Sequence, residues 1–298
     1  MKFGIALPNF GKYAKKDLIS RVAVIAEEMG YDSVWASDHI VVPDSHEGFG
    51  NIFFEPLITL THLAERTSKI YLGTSVMILP YRNPIVLAKM ISTLDVLSNG
   101  RVIFGVGVGW LEQEFGAIGV PYEERGRMTD EYIEVLKALW VKDTPNFEGM
   151  YSEFSNLSFF PKPIQKPYPP IWIGGNSQRA IERAVNMGDG WHAVGLTPEE
   201  IKERASKIEE LLVHKRKTRR DFVISVRKNL QVVKDKKHRV SDGRDILRST
   251  PHKIAAGIAE YRESGVSHMV FQVLGGTFKA VIETMEIFSK YIRPAVGL

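Results

Sequence analysis

Apolar positions along the chain fall into two alternating kinds of segment. Short unbroken runs, the first over 3–7, predict strands buried on both faces. Segments of helical period lie between them. Leu18, Val22, Ile25, Ala26 and Met29 recur at helical spacing on one face, and Gly30 stands where a C-terminal stop belongs. Strands follow at 33–36, within 70–79 and at 102–108, with helices at 57–66, at 85–97 and on the face marked by Met128, Tyr132, Val135, Leu136 and Leu139. After a proline-rich break the pattern resumes. It predicts a strand at 171–173, a helix at 178–187 and a strand at 190–194. Thr197-Pro198-Glu199-Glu200 opens the next helix with a cap, a proline at the first turn and a glutamate three residues on. The last elements are a strand at 222–233, a helix from Pro251 to near Gly265, a strand at 269–274 and a helix carrying Val281, Ile282, Met285, Phe288 and Ile292.

Eight strand candidates, each followed by a helix, predict a parallel sheet in an α/β fold. An open doubly wound sheet and a (β/α)8 TIM barrel both satisfy the alternation, and the count of eight favours the barrel. A dinucleotide fold would need G-x-G-x-x-G after the first strand, where Pro8-Asn9-Phe10-Gly11 stands instead. Residues 143–170 read as an insertion with a hairpin around 151–160. No change of composition divides the rest, so 1–298 is expected to be one domain.

Composition narrows the chemistry. The absence of cysteine excludes disulfides, thiolate metal sites and cysteine nucleophiles. The histidines lack ligand spacing, so no metal site is expected. A net charge of +4 is mild for 298 residues and gives no reason to expect nucleic acid. The N-terminal apolar run is too short for a signal-peptide core, and nothing approaches the ~20 apolar residues of a membrane span. A cytoplasmic protein acting on a small molecule, with no membrane partner, is the expectation.

In a barrel the chemistry sits at the C-terminal strand ends. The second strand ends in Ser37-Asp38-His39, a carboxylate and an imidazole suited to acid/base work or, equally, to capping the following loop. The fourth carries Gly105, Gly107 and Gly109 at alternate positions before Trp110. Such a run marks close approach of a ligand or of another backbone. The fifth ends in Gly174, Gly175, Asn176 and Ser177 directly before a helix, either an anion site or a capped turn. Phe49, Phe53, Phe54 and Trp110 suggest an apolar pocket. Basic runs at 214–220 and 234–239 read as solvated surface.

Taken together, the chain resembles the bacterial-luciferase-like superfamily and, within it, the oxidoreductases that use the deazaflavin coenzyme F420. The carriers are residues 30–39 (GYDSVWASDH), Leu72-Gly73-Thr74-Ser75-Val76, Asn83-Pro84, residues 94–101 (LDVLSNGR), Gly105 to Trp110, and Ile173-Gly174-Gly175. The Ser37-Asp38-His39 strand end is similar to the deazaflavin branch, whereas FMN members more often carry Glu-His. The resemblance implies that Asp38 and Ser75 lie near the deazaflavin ring and that His39 transfers a proton. It implies that Gly107 and Gly109 run along the coenzyme, and that Gly174, Gly175, Asn176 and Ser177 hold its phosphate. Members of the family often have a non-prolyl cis peptide after the third strand, which would be Ser75-Val76 here, and the ring would stack near Val76 and Trp110.

Sugar-phosphate dehydrogenases of this branch carry a glutamate where Trp110 stands, and Glu112 and Glu114 need not replace it. The resemblance therefore leaves the general acid unassigned. It also implies a homodimer, and an acidic coenzyme tail that Lys215, Arg216 or Arg219 would attract. An FMN-dependent monooxygenase using reduced flavin and oxygen is the alternative, and a non-catalytic flavin-binding barrel is a third class.

Overall fold

A computed structural model describes residues 1–43, 50–215, 218, 221–233 and 246–297. Its strands are β1 (Lys2–Ala6), β2 (Ser33–Ala36), β3 (Tyr71–Thr74), β4 (Val102–Gly107), β5 (Ile171–Gly174), β6 (Gly190–Val194), β7 (Val223–Val232) and β8 (His268–Val273). The sheet order runs β7–β8–β1–β2–β3–β4–β5–β6, and β6 also pairs with β7. That cyclic order, with parallel neighbours and a helix after each strand, is the (β/α)8 barrel. Apart from β7, which is ten residues long and half of it partly exposed, the strands are short and largely buried, β4 along its entire length, which is why they read as continuous apolar runs.

The chain divides into two compact units. The first comprises Met1–Leu7, Arg21–Trp35 and Trp172–Leu298. Phe3, Phe271 and Phe288 form its aromatic core, with Phe3 edge-on to Phe288 at 5.1 Å between centroids. A second cluster is polar. His268 Nε2 lies 2.9 Å from Ser33 Oγ, to which Trp35 Nε1 donates at 2.7 Å. Trp35 in turn stacks on His192 at 5.2 Å. These groups are buried, and each hydroxyl and ring nitrogen named has a partner, as burial of polar atoms demands.

The second unit comprises Pro8–Ser20 and Ala36–Ile171. Here α2 (Pro56–Arg66) and α3 (Pro84–Leu97) bury Leu57, Leu60, Leu63, Leu87, Ile91 and Leu94. Asn83 caps α3 by accepting from Ile85 N at 2.9 Å, ahead of Pro84 at the first helical position. Arg101 is buried yet satisfied. Its guanidinium donates to the carbonyls of Ala64, Thr67 and Ile70 and to the Thr67 hydroxyl.

The strand expected within 70–79 is broken in two. β3 pairs with β4 as Leu72↔Val102 and Gly73↔Ile103, and the short strand Met77–Ile78 resumes as Met77↔Val106. From Gly73 to Met77 is four residues, against three from Ile103 to Val106. One extra residue is therefore accommodated at Thr74–Val76, a bulge, and the Ser75-Val76 peptide within it is cis, as expected. The hairpin of the 143–170 segment lies earlier than expected, pairing Phe147–Glu148 with Glu153–Phe154. Tyr151 stands in its turn, where Glu131 accepts from Met150 N and Tyr151 N at 2.7 and 2.8 Å. Among the elements not expected are the helix α4 (Glu112–Ala117) and a strand Ile246–Ser249 beside β7.

Candidate functional site

The segment after β2 is held by groups from several loops of the second unit. Asn9, fully buried, accepts from Ser37 N at 3.0 Å and donates to the carbonyls of Ser37 and Phe54 at 2.8 and 3.0 Å. One carboxamide thus joins three stretches of chain, which the bare sequence Pro8-Asn9-Phe10 does not signal.

Asp38 is 3% exposed. Arg82 grips it through two bonds, Nη1 to Oδ2 at 2.7 Å and Nη2 to Oδ1 at 2.8 Å, and Ile78 N donates to Oδ2 at 2.9 Å. The same guanidinium reaches Glu55 Oε1 at 2.9 Å, while Glu55 also caps α2 by accepting from Ile58 N. Burial alone would lower the Arg82 pKa, but bonding and charge from Asp38 and then Glu55 outweigh it and raise it, so the cation is secure.

His39 points to a different partner. Its Nδ1 lies 2.8 Å from Glu114 Oε2, with the imidazole side chain 10% exposed and the carboxylate not at all. Phe53 and Trp110 stand edge-on to the ring at 5.0 and 6.1 Å between centroids. Glu114 lies in the first turn of α4. It also accepts from Tyr81 Oη at 2.7 Å and from the backbone N–H groups of Ile40 and Val41 at 2.5 and 3.1 Å. Burial pushes the Glu114 carboxyl up. Hydrogen bonds from His39, Tyr81 and Ile40 pull harder and hold it below the ordinary glutamate value. The Tyr81 hydroxyl moves the other way, raised by burial and by the Glu114 carboxylate. An ionised carboxylate only accepts, so His39 Nδ1 carries the proton. The sequence reading set Asp38 beside His39, and the structure gives each its own partner. Glu114, left without a role from the sequence, is the centre of the His39 network.

The alternating glycines meet the bulge of β3. A Cβ on Gly105 would lie 2.0 Å from the Thr74 carbonyl oxygen, and one on Gly107 2.6 Å from Val76 Cγ2. Gly109 has φ +80°, and a Cβ there would strike the Phe115 ring at 2.7 Å. Packing within the unit accounts for all three, the second of the two readings open in the sequence. Trp110 is 52% exposed, Val76 lies against Gly107, and Ser75 N donates to Ala36 O at 2.8 Å. Of the aromatic residues singled out, Phe53 stacks on Phe10 at 5.2 Å, Phe54 is partly exposed, and Phe49 lies outside the described residues.

Gly174, Gly175, Asn176 and Ser177 belong to the first unit. They run from β5 into α6 (Gln178–Met187), and the last three are exposed. Gly175 has φ +114°, a left-handed conformation that favours glycine. Asn176 bonds the Val194 backbone on both sides, donating to its carbonyl at 2.7 Å and accepting its N–H at 3.2 Å. Ser177 caps α6 through Ala180 N at 3.2 Å. The first-turn N–H groups of a helix have no intrahelical acceptor, so this exposed end presents donors toward solvent. Lys215 follows α7 (Pro198–His214), while Arg216, Arg219 and the run 234–239 lie outside the described residues. Among the described residues no group of three or more potential metal ligands gathers, and no helix is long and apolar enough to cross a membrane.

The chain that folds into this barrel has known counterparts. The model of the luciferase-like monooxygenases matches residues 1–268, and the chain belongs to that family. An F420-dependent glucose-6-phosphate dehydrogenase of Amycolatopsis mediterranei is 30% identical across 87% of this chain and 89% of its own. An FMNH(2)-dependent dimethylsulfone monooxygenase of Pseudomonas putida is 31% identical across 64% of this chain and 52% of its own. The crystal structure of a monooxygenase from Streptomyces bottropensis superposes with a TM-score of 0.86 at 23% identity, covering 99% of both chains, which shows the fold. The chain is an enzyme of the oxidoreductase kind found among these relatives.

Proposed function

We propose that this chain is an oxidoreductase dependent on coenzyme F420. It moves a hydride between that deazaflavin and a small organic substrate at the C-terminal strand ends, and His39 exchanges the accompanying proton. The observation that carries this reading is the His39 imidazole, which stands after β2, slightly exposed, edge-on to Trp110, with Nδ1 engaged by a carboxylate. An imidazole held in one orientation is suited to exchange that proton with a substrate. The choice of coenzyme is supported by the breadth of the match to the Amycolatopsis relative, 87% of the chain against 64% for the FMNH(2)-dependent relative.

The residues suit such a coenzyme. In the first unit, taken by itself, the exposed N-terminus of α6, with Gly175 at φ +114°, offers backbone donors to an anion. Val76 and the half-exposed Trp110 offer apolar surface to a flat ring. When bound, the deazaflavin supplies the carbon that takes or gives the hydride. The chain supplies orientation: Arg82 clamps Asp38, Asn9 fixes Ser37, and His39 projects from the segment they hold.

FMN is the second reading. It is favoured by the Pseudomonas relative. Side-by-side fluorescence titration with oxidised F420 and with FMN separates the two. Tight F420 and weak FMN binding is expected, and the reverse moves the proposal to oxygen chemistry. With a substrate identified by screening under F420, His39→Ala is expected to lower kcat by about 10²–10⁴ and leave coenzyme affinity unchanged. Unaltered kcat removes His39 from the reaction.

A further inference from the structure

The Glu114 carboxylate makes more contacts than a capping role needs. One oxygen faces His39 Nδ1 at 2.8 Å and Tyr81 Oη at 2.7 Å, and the other takes the Ile40 and Val41 N–H groups. It lies on α4, in a different loop from His39, and its side chain is fully buried. Its two oxygens therefore hold both the imidazole and the backbone immediately beyond it. We infer that Glu114 is the positioning residue for His39, locking the imidazole as its Nδ1–H tautomer so that the proton of the reaction is exchanged at Nε2. The inference rests on the proton-transfer role given to His39 above and adds the group that makes that role directional.

Tyr81 has the supporting part. Its hydroxyl occupies the carboxylate oxygen that faces His39, which leaves that oxygen fully committed in a buried place. A proton arriving at Nε2 then places the imidazolium directly against the Glu114 carboxylate. Neutral histidine in water mixes both tautomers, so removing the carboxylate frees the ring to carry its proton on either nitrogen.

Histidine-labelled protein examined by long-range 1H–15N NMR reads this without coenzyme or substrate. The His39 signals are identified by their loss in His39→Ala. In the parent protein the expected pattern is a pyrrole-type Nδ1 and a pyridine-type Nε2. In Glu114→Ala the pyrrole-type Nδ1 signal should be lost to a tautomer mixture, while Tyr81→Phe keeps it. Glu114→Gln retains the side-chain shape and should shift the population partway, which serves if the alanine variant does not fold. Unchanged His192 and His268 signals report that the fold is intact. A parent His39 in the Nε2–H form overturns the inference, as does an Nδ1–H form that survives in both Glu114 variants. Because the readout is independent of turnover, an inert His39→Ala result would sink the catalytic role of His39 and leave the Glu114 lock standing.

Discussion

Arg82 serves two carboxylates with one guanidinium, and its side chain is only 13% exposed. Asp38, fully buried at the side chain, depends on it. Replacing Arg82 with methionine keeps most of the volume but leaves a buried carboxylate with one backbone donor, Ile78 N. Breaking a buried pair in this way costs about 3–5 kcal/mol, and urea unfolding should show a loss of that size. Arg82→Lys should recover little, because an ammonium cannot make the paired bonds to Asp38 and still reach Glu55. Full recovery by lysine would mean that charge alone, without the fork, holds Asp38. At this scale the sequence exposes residue types but not partners. Asp38 and His39 stand side by side in the chain, yet their side chains meet Arg82 and Glu114, 44 and 75 positions away. Such pairings follow from the fold and leave no local pattern to read.

Elements were legible where burial and capping act locally. The span of α6 and the ends of β6 coincide with the apolar pattern, and the capping box at Thr197 and Glu200 is present in full. The short pieces were not. α4 is six residues long and lacks a side-chain cap, so it gives no helical period to detect. The bulge in β3 shows only as an oddly long strand signal. Its complement on β4 is testable. Gly105→Ala places a methyl group 2.0 Å from the Thr74 carbonyl, in backbone that cannot give way without moving the bulge. A destabilisation of about 1–3 kcal/mol or more is expected. Gly116→Ala in α4 meets nothing within 4 Å and should instead stabilise by roughly 0.5–1 kcal/mol. Thermal midpoints of the two variants should move in opposite directions, and a shared direction would contradict the packing account of the glycine run.

For the whole molecule, eight alternations were enough to choose the barrel, because a chain with that rhythm has few ways to cover both faces of a parallel sheet. The buried histidines could not be foreseen, since nothing in the sequence separates an interior imidazole from an exposed one. Burial, then the Arg227 charge, lowers the His192 pKa to about 3. Burial, then His192 and Lys2, lowers that of His268 to about 3. Both values lie below the ~6.5 of an unfolded chain, so unfolding takes up protons between the two limits. The stability these groups contribute is present in full above pH 6.5 and is lost as pH falls toward 3. At pH 5 the loss is about 2 kcal/mol for each histidine. Urea midpoints at pH 7.5 and 5 should differ accordingly, and His268→Gln should flatten the slope. A slope unchanged in that variant would place the proton uptake elsewhere.

The ties on either side of residues 42–49 have a consequence for how such an enzyme diversifies. Ile40 and Val41 are moored to Glu114, while Ile52 accepts from Gly11 N and Phe54 is laced to Asn9. Substitutions within the intervening stretch replace none of the groups that make these ties. A lineage can rewrite those residues while the groups that moor the imidazole stay as they were inherited.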